Sequence, residues 1–297
     1  MLGCGNFGGI GSAPAFFGKG ETKGQAFELM DAAWELGLRW FDTADAYGGG
    51  RSEAWIGEWI ASRGYRPRIT TKTFNPMDDG RDSGLAPERV RRQLDASLER
   101  LGVDRVDLYL AHEPDSAVPV ADTIRVFEEL QEAGKIGAWG LSNYRAAELR
   151  EALAGEPALL QNSFSLLDRA DEAEVLPLCR SEGVAYQCFG PLAGGWLTGK
   201  YRRGAEVPEG SRMTMRPEPY LVYDDEQVYA GLDGLERAAG ERGVSMAGLA
   251  LGWLLAHPAV DSIVVGPRMP AHLEPVREAL ALELSPAERD EVGSLFT

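Results

Sequence analysis

Helical and strand patterns alternate along this chain from residue 24 onward. In the helical segments apolar residues recur every three or four positions, whereas the strand segments are short apolar runs. The clearest helix starts at Pro87, carries one apolar stripe and stops before Gly102. A second helix is expected between Ser52, as its N-cap, and Gly64. The other predicted helices cover residues 24–36, 120–133, 146–154, 171–182, 226–241 and 245–255, followed by a helical stretch from 271.

Eight strand segments accompany these helices, and their number points to a fold class. They cover residues 2–5, 38–42, 68–71, 106–111, 137–141, 158–161, 184–189 and 261–265. Eight strands that alternate with helices over about 250 residues or more are typical of a TIM (β/α)8 barrel. A chain of 297 residues suits one such barrel. We therefore predict a single α/β domain over residues 1–297, with a doubly wound sheet as the competing architecture.

The segment between Phe189 and Asp225 interrupts the alternation. It contains many Gly, Pro, Arg and Tyr residues and shows little periodicity. A loop far longer than roughly 15 residues usually has a function of its own or lacks order. Because this loop leaves the carboxyl end of the seventh predicted strand, we expect it to cover a ligand.

Composition narrows the range of partners and compartments. The 46 acidic residues outnumber the 30 Lys and Arg residues, for a formal net charge of −16, so we expect no nucleic-acid partner. No apolar run approaches the roughly 20 residues of a membrane span, and no signal-peptide pattern precedes the first loop. We expect a cytoplasmic protein that does not enter membranes. Cys4, Cys179 and Cys188 are far apart in sequence and are expected to be reduced and buried.

Four polar residues stand at or just past the ends of apolar runs in the first part of the chain. Asp42 ends the second predicted strand and Tyr47 follows it after one loop, while Lys72 follows the third strand and His112 the fourth. If these strands are parallel neighbours, all four side chains gather at the carboxyl edge of the sheet, where α/β proteins place their chemistry. A carboxylate, a phenol, an ammonium and an imidazole at one place suggest proton transfer. Neither a nucleophile with an adjacent base nor a metal-ligand spacing is present.

The phenol of Tyr47 is the natural acid of this set. A free phenol has a pKa near 10, so donation at neutral pH benefits from a shift of two or three units, about 3 to 4 kcal/mol. One ammonium about 4 Å away supplies roughly 4 kcal/mol at an effective dielectric near 20. We expect Lys72 to supply it, Asp42 to keep Lys72 charged and oriented, and His112 to form a hydrogen bond at the substrate oxygen.

The segments that carry these residues, and several others in the same order, resemble the aldo-keto reductase family. Tyr47 stands in the run WFDTADAYG, Lys72 in TKT and His112 in LAH. Together the matching motifs extend over nearly the whole chain, and the combination is highly specific. The further matches are residues 140–144, 161–162, 165–169 and 191–201.

The resemblance implies a TIM barrel and the NADPH-dependent reduction of an aldehyde or ketone, a small-molecule carbonyl substrate. It makes Tyr47 the general acid, Lys72 and Asp42 its tuning pair, and His112 the residue that orients the substrate. Ser142, Asn143 and Gln161 match the side chains that hold the nicotinamide carboxamide. Phe189 matches the aromatic residue on which the nicotinamide stacks, and Arg268 matches the Arg that meets the 2′-phosphate. The cofactor-binding residues implied in this way are Gly5, Asn6, Phe7, Asp42, Ser142, Asn143, Gln161, Phe189, Gly190, Pro191, Leu192, Gly194, Leu197, Lys200, Arg212, Gly266, Arg268 and His272.

The chain also departs from the family pattern. His272 and Val276 stand where members often have Gln and Asn near the adenosine, so the preference for NADPH over NADH is less firmly implied than the reaction. Members usually begin with a β-hairpin that closes the barrel floor, and we expect that hairpin to be missing here. The run Gly3 to Gly8 spells the dinucleotide fingerprint G-x-G-x-x-G, but no helical stripe follows it, so we interpret it as a glycine-rich loop beside the nicotinamide.

Two function classes remain open at this point. One is an NADPH-dependent carbonyl reductase, favoured by the intact set of Asp42, Tyr47, Lys72 and His112. The other is a nucleotide-binding regulatory subunit like the potassium-channel β subunits, which resemble the same family. The physiological substrate and the oligomeric state are left open by the sequence.

Overall fold

A computed structural model describes residues 1–78 and 80–296, in which strands and helices alternate. The strands of this part are β1 Leu2–Gly3, β2 Trp40–Asp42, β3 Arg68–Thr73, β4 Val106–Ala111, β5 Ile136–Ser142, β6 Leu159–Ser163, β7 Ala185–Phe189 and β8 Ser262–Ile263. Its α-helices are α1 Lys23–Glu35, α2 Arg51–Arg63, α3 Pro87–Leu101, α4 Val120–Glu132, α5 Ala146–Ala152, α6 Val175–Glu182, α7 Arg212–Met215, α8 Glu226–Glu241, α9 Met246–Leu255, α10 Glu274–Ala281 and α11 Pro286–Ser294. Its 3-10 helices are Pro14–Phe16, Tyr47–Gly50, Leu153–Gly155, Ala170–Glu172, Ala193–Thr198, Glu218–Tyr223 and Pro270–Leu273.

The strands form one parallel sheet in chain order, from β1 to β8. The sheet closes because β1 also pairs with Val265, just beyond β8. The Gly3 N–H donates to the Val265 carbonyl at 2.7 Å, and the Val265 N–H donates to the Met1 carbonyl at 3.0 Å. A parallel sheet that closes on itself with helices outside is a TIM (β/α)8 barrel. The predicted fold class is confirmed, and the doubly wound alternative is wrong.

Helix α3 shows how the sequence pattern produces the outer layer. Pro87 occupies its first turn, where a missing N–H costs nothing, and Gly102 ends it with φ 65°. Val90, Leu94 and Leu101 are fully buried along one face. The helix therefore packs its apolar stripe on the barrel and leaves its charged face in solvent.

Some predicted boundaries need correction. Ser52 is not an N-cap: α2 begins at Arg51 after Gly50, and the buried Ser52 hydroxyl instead donates to the Cys4 carbonyl at 3.0 Å. Strand β3 continues through Thr73, so Lys72 lies inside it. The helix predicted over 171–182 begins at Val175, after a short 3-10 turn.

Two further sequence expectations concern cysteine chemistry and membranes. Cys4, Cys179 and Cys188 are buried and unbridged, as predicted. Of the helices in the described residues, none combines the length and the apolar character needed to cross a membrane.

Candidate active site

The carboxyl ends of β2 and β3 bring Asp42 and Lys72 into direct contact. The Lys72 Nζ atom donates to Asp42 Oδ1 at 2.5 Å and to the Thr43 carbonyl at 2.9 Å. Lys72 is fully buried and Asp42 is nearly so. The register of the two strands places the side chains side by side, since Asp42 pairs with Thr70, two residues before Lys72. A buried ammonium is stable here because a carboxylate and a carbonyl both accept hydrogen bonds from it.

A glycine turn directs Tyr47 over this pair. Gly48, Gly49 and Gly50 all have positive φ angles, of 61°, 67° and 86°. At Gly48 a Cβ atom would lie 2.4 Å from the Phe7 carbonyl oxygen, so a larger residue does not fit. The turn carries the Tyr47 ring to the mouth of the barrel, with its centroid 5.1 Å from Lys72 Nζ.

His112 completes the group from the end of β4. Its Nε2 atom lies 3.5 Å from the Tyr47 hydroxyl, and the two rings meet edge to face. Its Nδ1 atom lies 3.3 Å from the amide nitrogen of Asn75. An amide nitrogen can only donate, so Nδ1 is an acceptor and the ring proton belongs on Nε2. Asn75 therefore selects the tautomer that points a donor toward the Tyr47 hydroxyl.

The titratable groups of the site are strongly influenced by burial. Burial, and then the charge of Lys72, lowers the pKa of His112 well below its usual value, so its imidazole is neutral at pH 7. Burial raises the pKa of Tyr47, and the charge of Lys72 opposes this rise. Burial lowers the pKa of Lys72, but Asp42 and Tyr47 outweigh it and raise that pKa overall. The predicted acidifying effect of Lys72 on Tyr47 is thus present, but in the protein alone it is smaller than the effect of burial.

A layer of polar side chains continues from Asp42 across the barrel interior. Gln161 Nε2 donates to Asp42 Oδ2 at 2.7 Å and also to the side-chain oxygen Oε1 of Gln187. Gln187 Nε2 in turn donates to the Ser262 hydroxyl at 2.8 Å. Asp42 and Gln161 were predicted from the sequence as site residues, whereas Gln187 and Ser262 were not. Their polar character inside apolar strands was the one signal that could have revealed them.

Ser142 and Asn143 lie together at the end of β5. The Asn143 side-chain amide donates to the His112 carbonyl at 2.9 Å and to the Ser142 hydroxyl at 3.2 Å. Asn143 has a φ of 62°, in a region that a non-glycine residue rarely adopts. Asparagine tolerates this conformation better than most side chains, and the hydrogen bonds to His112 and Ser142 hold it here.

The long loop begins at the end of β7 with Phe189, which remains partly exposed at the barrel mouth. Gly190, Ala193 and Gly194 have positive φ angles of 64°, 46° and 65°. These angles bend the loop into the 3-10 helix Ala193–Thr198. Other predicted cofactor residues lie in this bend with different exposure: Pro191 and Leu197 are buried, and Leu192 is partly buried.

Cationic side chains gather beyond this bend. Arg212 donates to the Asn6 side-chain oxygen at 2.5 Å, and Arg268 pairs with Glu21 at 2.6 Å. Partial desolvation, followed by the charges of Arg268 and Arg212, lowers the pKa of Lys200. The pKa of the exposed His272 is lowered by desolvation, then by Lys200 and Arg268. Lys200, Arg268 and Arg212 are therefore close enough for their charges to repel one another. Glu21, the carboxylate beside Arg268, was not predicted from the sequence.

Not every predicted cofactor residue offers its side chain to this region. The Phe7 side chain belongs to the hydrophobic core, so this residue can contribute to a site only through its backbone. Val276, which stands where family members often have Asn and was not predicted to bind the cofactor, also lies in the core. Gly5 lies against the Tyr47 ring, where a Cβ atom would be 3.5 Å away, and Gly266 faces open space.

Comparison with known proteins agrees with this architecture. The family model described as Aldo/keto reductase family matches residues 7–295. The NADH-specific methylglyoxal reductase of Escherichia coli is 32% identical, with 94% of this chain and 89% of that protein covered. A probable voltage-gated potassium channel β subunit of Arabidopsis thaliana is 33% identical, covering 82% of this chain and 77% of that protein.

A solved structure supports the same assignment. The glycerol dehydrogenase of Gluconobacter oxydans superposes with a TM-score of 0.84 at 26% identity, covering 99% of this chain and 90% of that one. Family match, relatives and barrel agree over nearly the full described length. The chain therefore belongs to the aldo/keto reductase family of oxidoreductases.

Proposed function

We propose that this protein is an NADPH-dependent reductase that converts an aldehyde or ketone to an alcohol, with Tyr47 as the general acid. The observation that carries the proposal is the cluster of Tyr47, His112, Lys72 and Asp42 at the carboxyl ends of three adjacent strands. The Tyr47 hydroxyl lies 3.5 Å from His112 Nε2, and Lys72 is held by Asp42 at 2.5 Å. One carbonyl oxygen can approach the Tyr47 hydroxyl and the His112 Nε2–H together.

The cation cluster fits a dinucleotide that carries phosphates. Arg268 and Arg212 lie close enough to Lys200 to lower its pKa. Of these three cations, only Arg268 has a carboxylate partner within residues 1–78 and 80–296. Such uncompensated positive charge favours an anionic ligand. Ser142 and Asn143 at the end of β5, together with Gln161 beside Asp42, offer hydroxyl and amide groups that suit a carboxamide. Arg268 would hold the 2′-phosphate, and Lys200 and Arg212 the pyrophosphate.

The mechanism follows from the protonation states of the site. When bound, the cofactor supplies a hydride to the carbonyl carbon. Tyr47 keeps its proton at neutral pH because its pKa is raised, so the hydroxyl is available as a donor to the carbonyl oxygen. Lys72 stabilises the phenolate that donation leaves, and Asp42 holds Lys72 in place. The neutral His112 orients the carbonyl through its Nε2–H.

The second candidate function is a nucleotide-binding regulatory subunit with weak or no turnover. It is favoured by the similarity to the channel β subunit named above. Both functions predict dinucleotide binding, so binding does not separate them. Turnover does.

The test is a comparison of wild-type protein with Tyr47→Phe, in which only the phenolic proton donor is lost. We expect wild type to oxidise NADPH in the presence of an activated aldehyde. We expect the variant to lose roughly 10²- to 10⁴-fold in kcat with its Kd for NADPH unchanged. Tyr65→Phe, two residues beyond the end of α2, is the matched control and should keep full activity. Wild-type protein that binds NADPH but reduces no carbonyl in a broad panel would instead support the regulatory function.

A further inference from the structure

A buried carboxylate stands next to the arginine proposed to hold the 2′-phosphate. Glu21 is 3% exposed, and its Oε1 atom accepts a hydrogen bond from Arg268 Nε at 2.6 Å. Its other oxygen, Oε2, is buried and accepts no hydrogen bond from any described residue. Glu21 thus brings a negative charge, half of it unpaired, into a region that otherwise collects cations.

The backbone fixes Glu21 in this place. Its N–H donates to the Asn6 carbonyl at 2.9 Å, and its carbonyl accepts from the Gly8 N–H at 3.0 Å. These bonds form a parallel bridge between Phe7 and Glu21. The carboxylate therefore has little freedom to move away when another anion arrives.

Arg268 is the movable partner of the pair. Its side chain is 37% exposed, and its Nη1 atom donates to the Gly210 carbonyl in the long loop at 2.5 Å. Its Nη2 atom has no hydrogen-bond partner within the part of the chain that the structure describes. A phosphate can therefore reach Arg268, but it approaches a guanidinium whose charge Glu21 already balances.

We infer that Glu21 sets the cofactor selectivity of this site, because its carboxylate competes with the 2′-phosphate of NADPH for Arg268 and so reduces the preference for NADPH over NADH. The inference rests on the proposed function. Desolvation raises the pKa of Glu21, and the hydrogen bond and charge of Arg268 oppose this rise. An arriving phosphate draws on the same guanidinium and adds like-charge repulsion at short range. Neither effect acts on a ribose that carries a plain 2′-hydroxyl.

The test isolates the 2′-phosphate with two fragments that differ in nothing else, adenosine 2′,5′-bisphosphate and adenosine 5′-monophosphate. Their Kd values are measured by calorimetry, along with those of NADPH and NADH, for wild type and Glu21→Gln. Glutamine keeps an oxygen acceptor for Arg268 Nε and removes the charge. We expect the bisphosphate and NADPH to bind roughly 3- to 10-fold more tightly to the variant, with the other two ligands unchanged.

A matched control accounts for net charge. Glu209→Gln removes one exposed carboxylate from the residue before Gly210, and it should leave the ratio of the two fragment affinities unchanged. If Glu21→Gln does not fold, Glu21→Ala replaces it, with the same direction expected. An unchanged or smaller preference for the bisphosphate in the charge-free variant overturns the inference. Wild-type protein that binds neither NADPH nor NADH contradicts the proposed function, which is a different outcome.

Discussion

The proposed chemistry depends first on which atom of which residue carries a proton. His112 has one ring nitrogen near Asn75 and the other near the Tyr47 hydroxyl, at 3.3 Å and 3.5 Å. Burial and the charge of Lys72 disfavour the protonated, positively charged form of the His112 ring, so the ring acts as a neutral donor. A neutral imidazole has two tautomers, and only the Nε2–H form donates toward the substrate position. The contact from Asn75 is what distinguishes them.

We predict that Asn75→Ala shifts His112 toward a mixture of tautomers and lowers kcat/KM for the carbonyl by about tenfold. The chain has three histidines, so long-range 1H–15N spectra can resolve the two ring nitrogens of His112 directly. Asn75→Ser, whose hydroxyl can still donate, should restore part of the activity and of the Nε2–H signal. A spectrum of Asn75→Ala identical to that of wild type would remove Asn75 from this role.

Residues with unusual chemistry were easier to predict than those that position them. Asp42, Tyr47, Lys72 and His112 stood out because polar groups followed apolar runs. Asn75 did not, because an asparagine in a loop is ordinary and its importance comes from its distance to His112. The same holds for Glu21, whose partner Arg268 lies 247 residues away in sequence.

At the scale of elements, glycines mark where strands and helices approach closely. At Gly140 in β5, a Cβ atom would lie 2.4 Å from the Leu159 carbonyl oxygen of the neighbouring strand. This contact is with backbone, which cannot move without disturbing the ladder between β5 and β6. At Gly24 in the first turn of α1, by contrast, a Cβ atom would meet nothing within 4 Å.

We predict opposite effects of the same substitution at these two positions. Gly140→Ala should lower the free energy of unfolding by about 1 to 3 kcal/mol, because the sheet must open to admit the methyl group. Gly24→Ala should raise it by about 0.5 to 1 kcal/mol, because alanine loses less backbone entropy in a helix. Chemical denaturation of both variants checks the pair. Equal effects at the two sites would show that close approach in the barrel does not decide the outcome.

Element positions were predicted well wherever local signals agreed. Pro87 and Gly102 bounded α3, and β4 was predicted with the bounds that the structure shows. The error at Ser52 arose because a serine before a helical stripe resembles an N-cap. Its hydroxyl instead forms hydrogen bonds with the Cys4 carbonyl and the Thr43 hydroxyl, and these contacts exist only in the folded barrel.

At the scale of the whole molecule, a buried acidic pair couples folding to pH. Asp45 and Glu53 are both fully buried behind β3. Thr73 donates to Asp45 at 2.7 Å, Arg100 donates to Glu53 at 2.8 Å, and the second oxygen of Asp45 has no partner among the described residues. Burial, and then the charge of Glu53, raises the pKa of Asp45 to about 7.

This shift predicts that stability falls as the pH rises. Between about pH 4 and pH 7 the folded protein keeps the Asp45 proton and the unfolded chain releases it, so the free energy of unfolding decreases across that range. The loss from this group is at most about 4 kcal/mol. Asp45→Asn should remove the contribution of this group to the pH dependence. The difference in free energy of unfolding between variant and wild type should therefore be more favourable to the variant at pH 8 than at pH 5. Denaturation at both values checks this, and parallel pH curves for the two proteins would exclude the effect.

The sequence by itself determined the class of fold, the order of its elements and the set of polar residues that we propose transfer a proton. These follow from local periodicity and from polar side chains at strand ends, which are properties of neighbouring residues. The tertiary structure decided which groups meet: Asn75 with His112, Gln187 with Gln161, and Glu21 with Arg268. Closure of the barrel brings residues from distant parts of the chain within hydrogen-bond distance. No local pattern records such distances, so the protonation states and the balance of charge became visible only in the folded molecule.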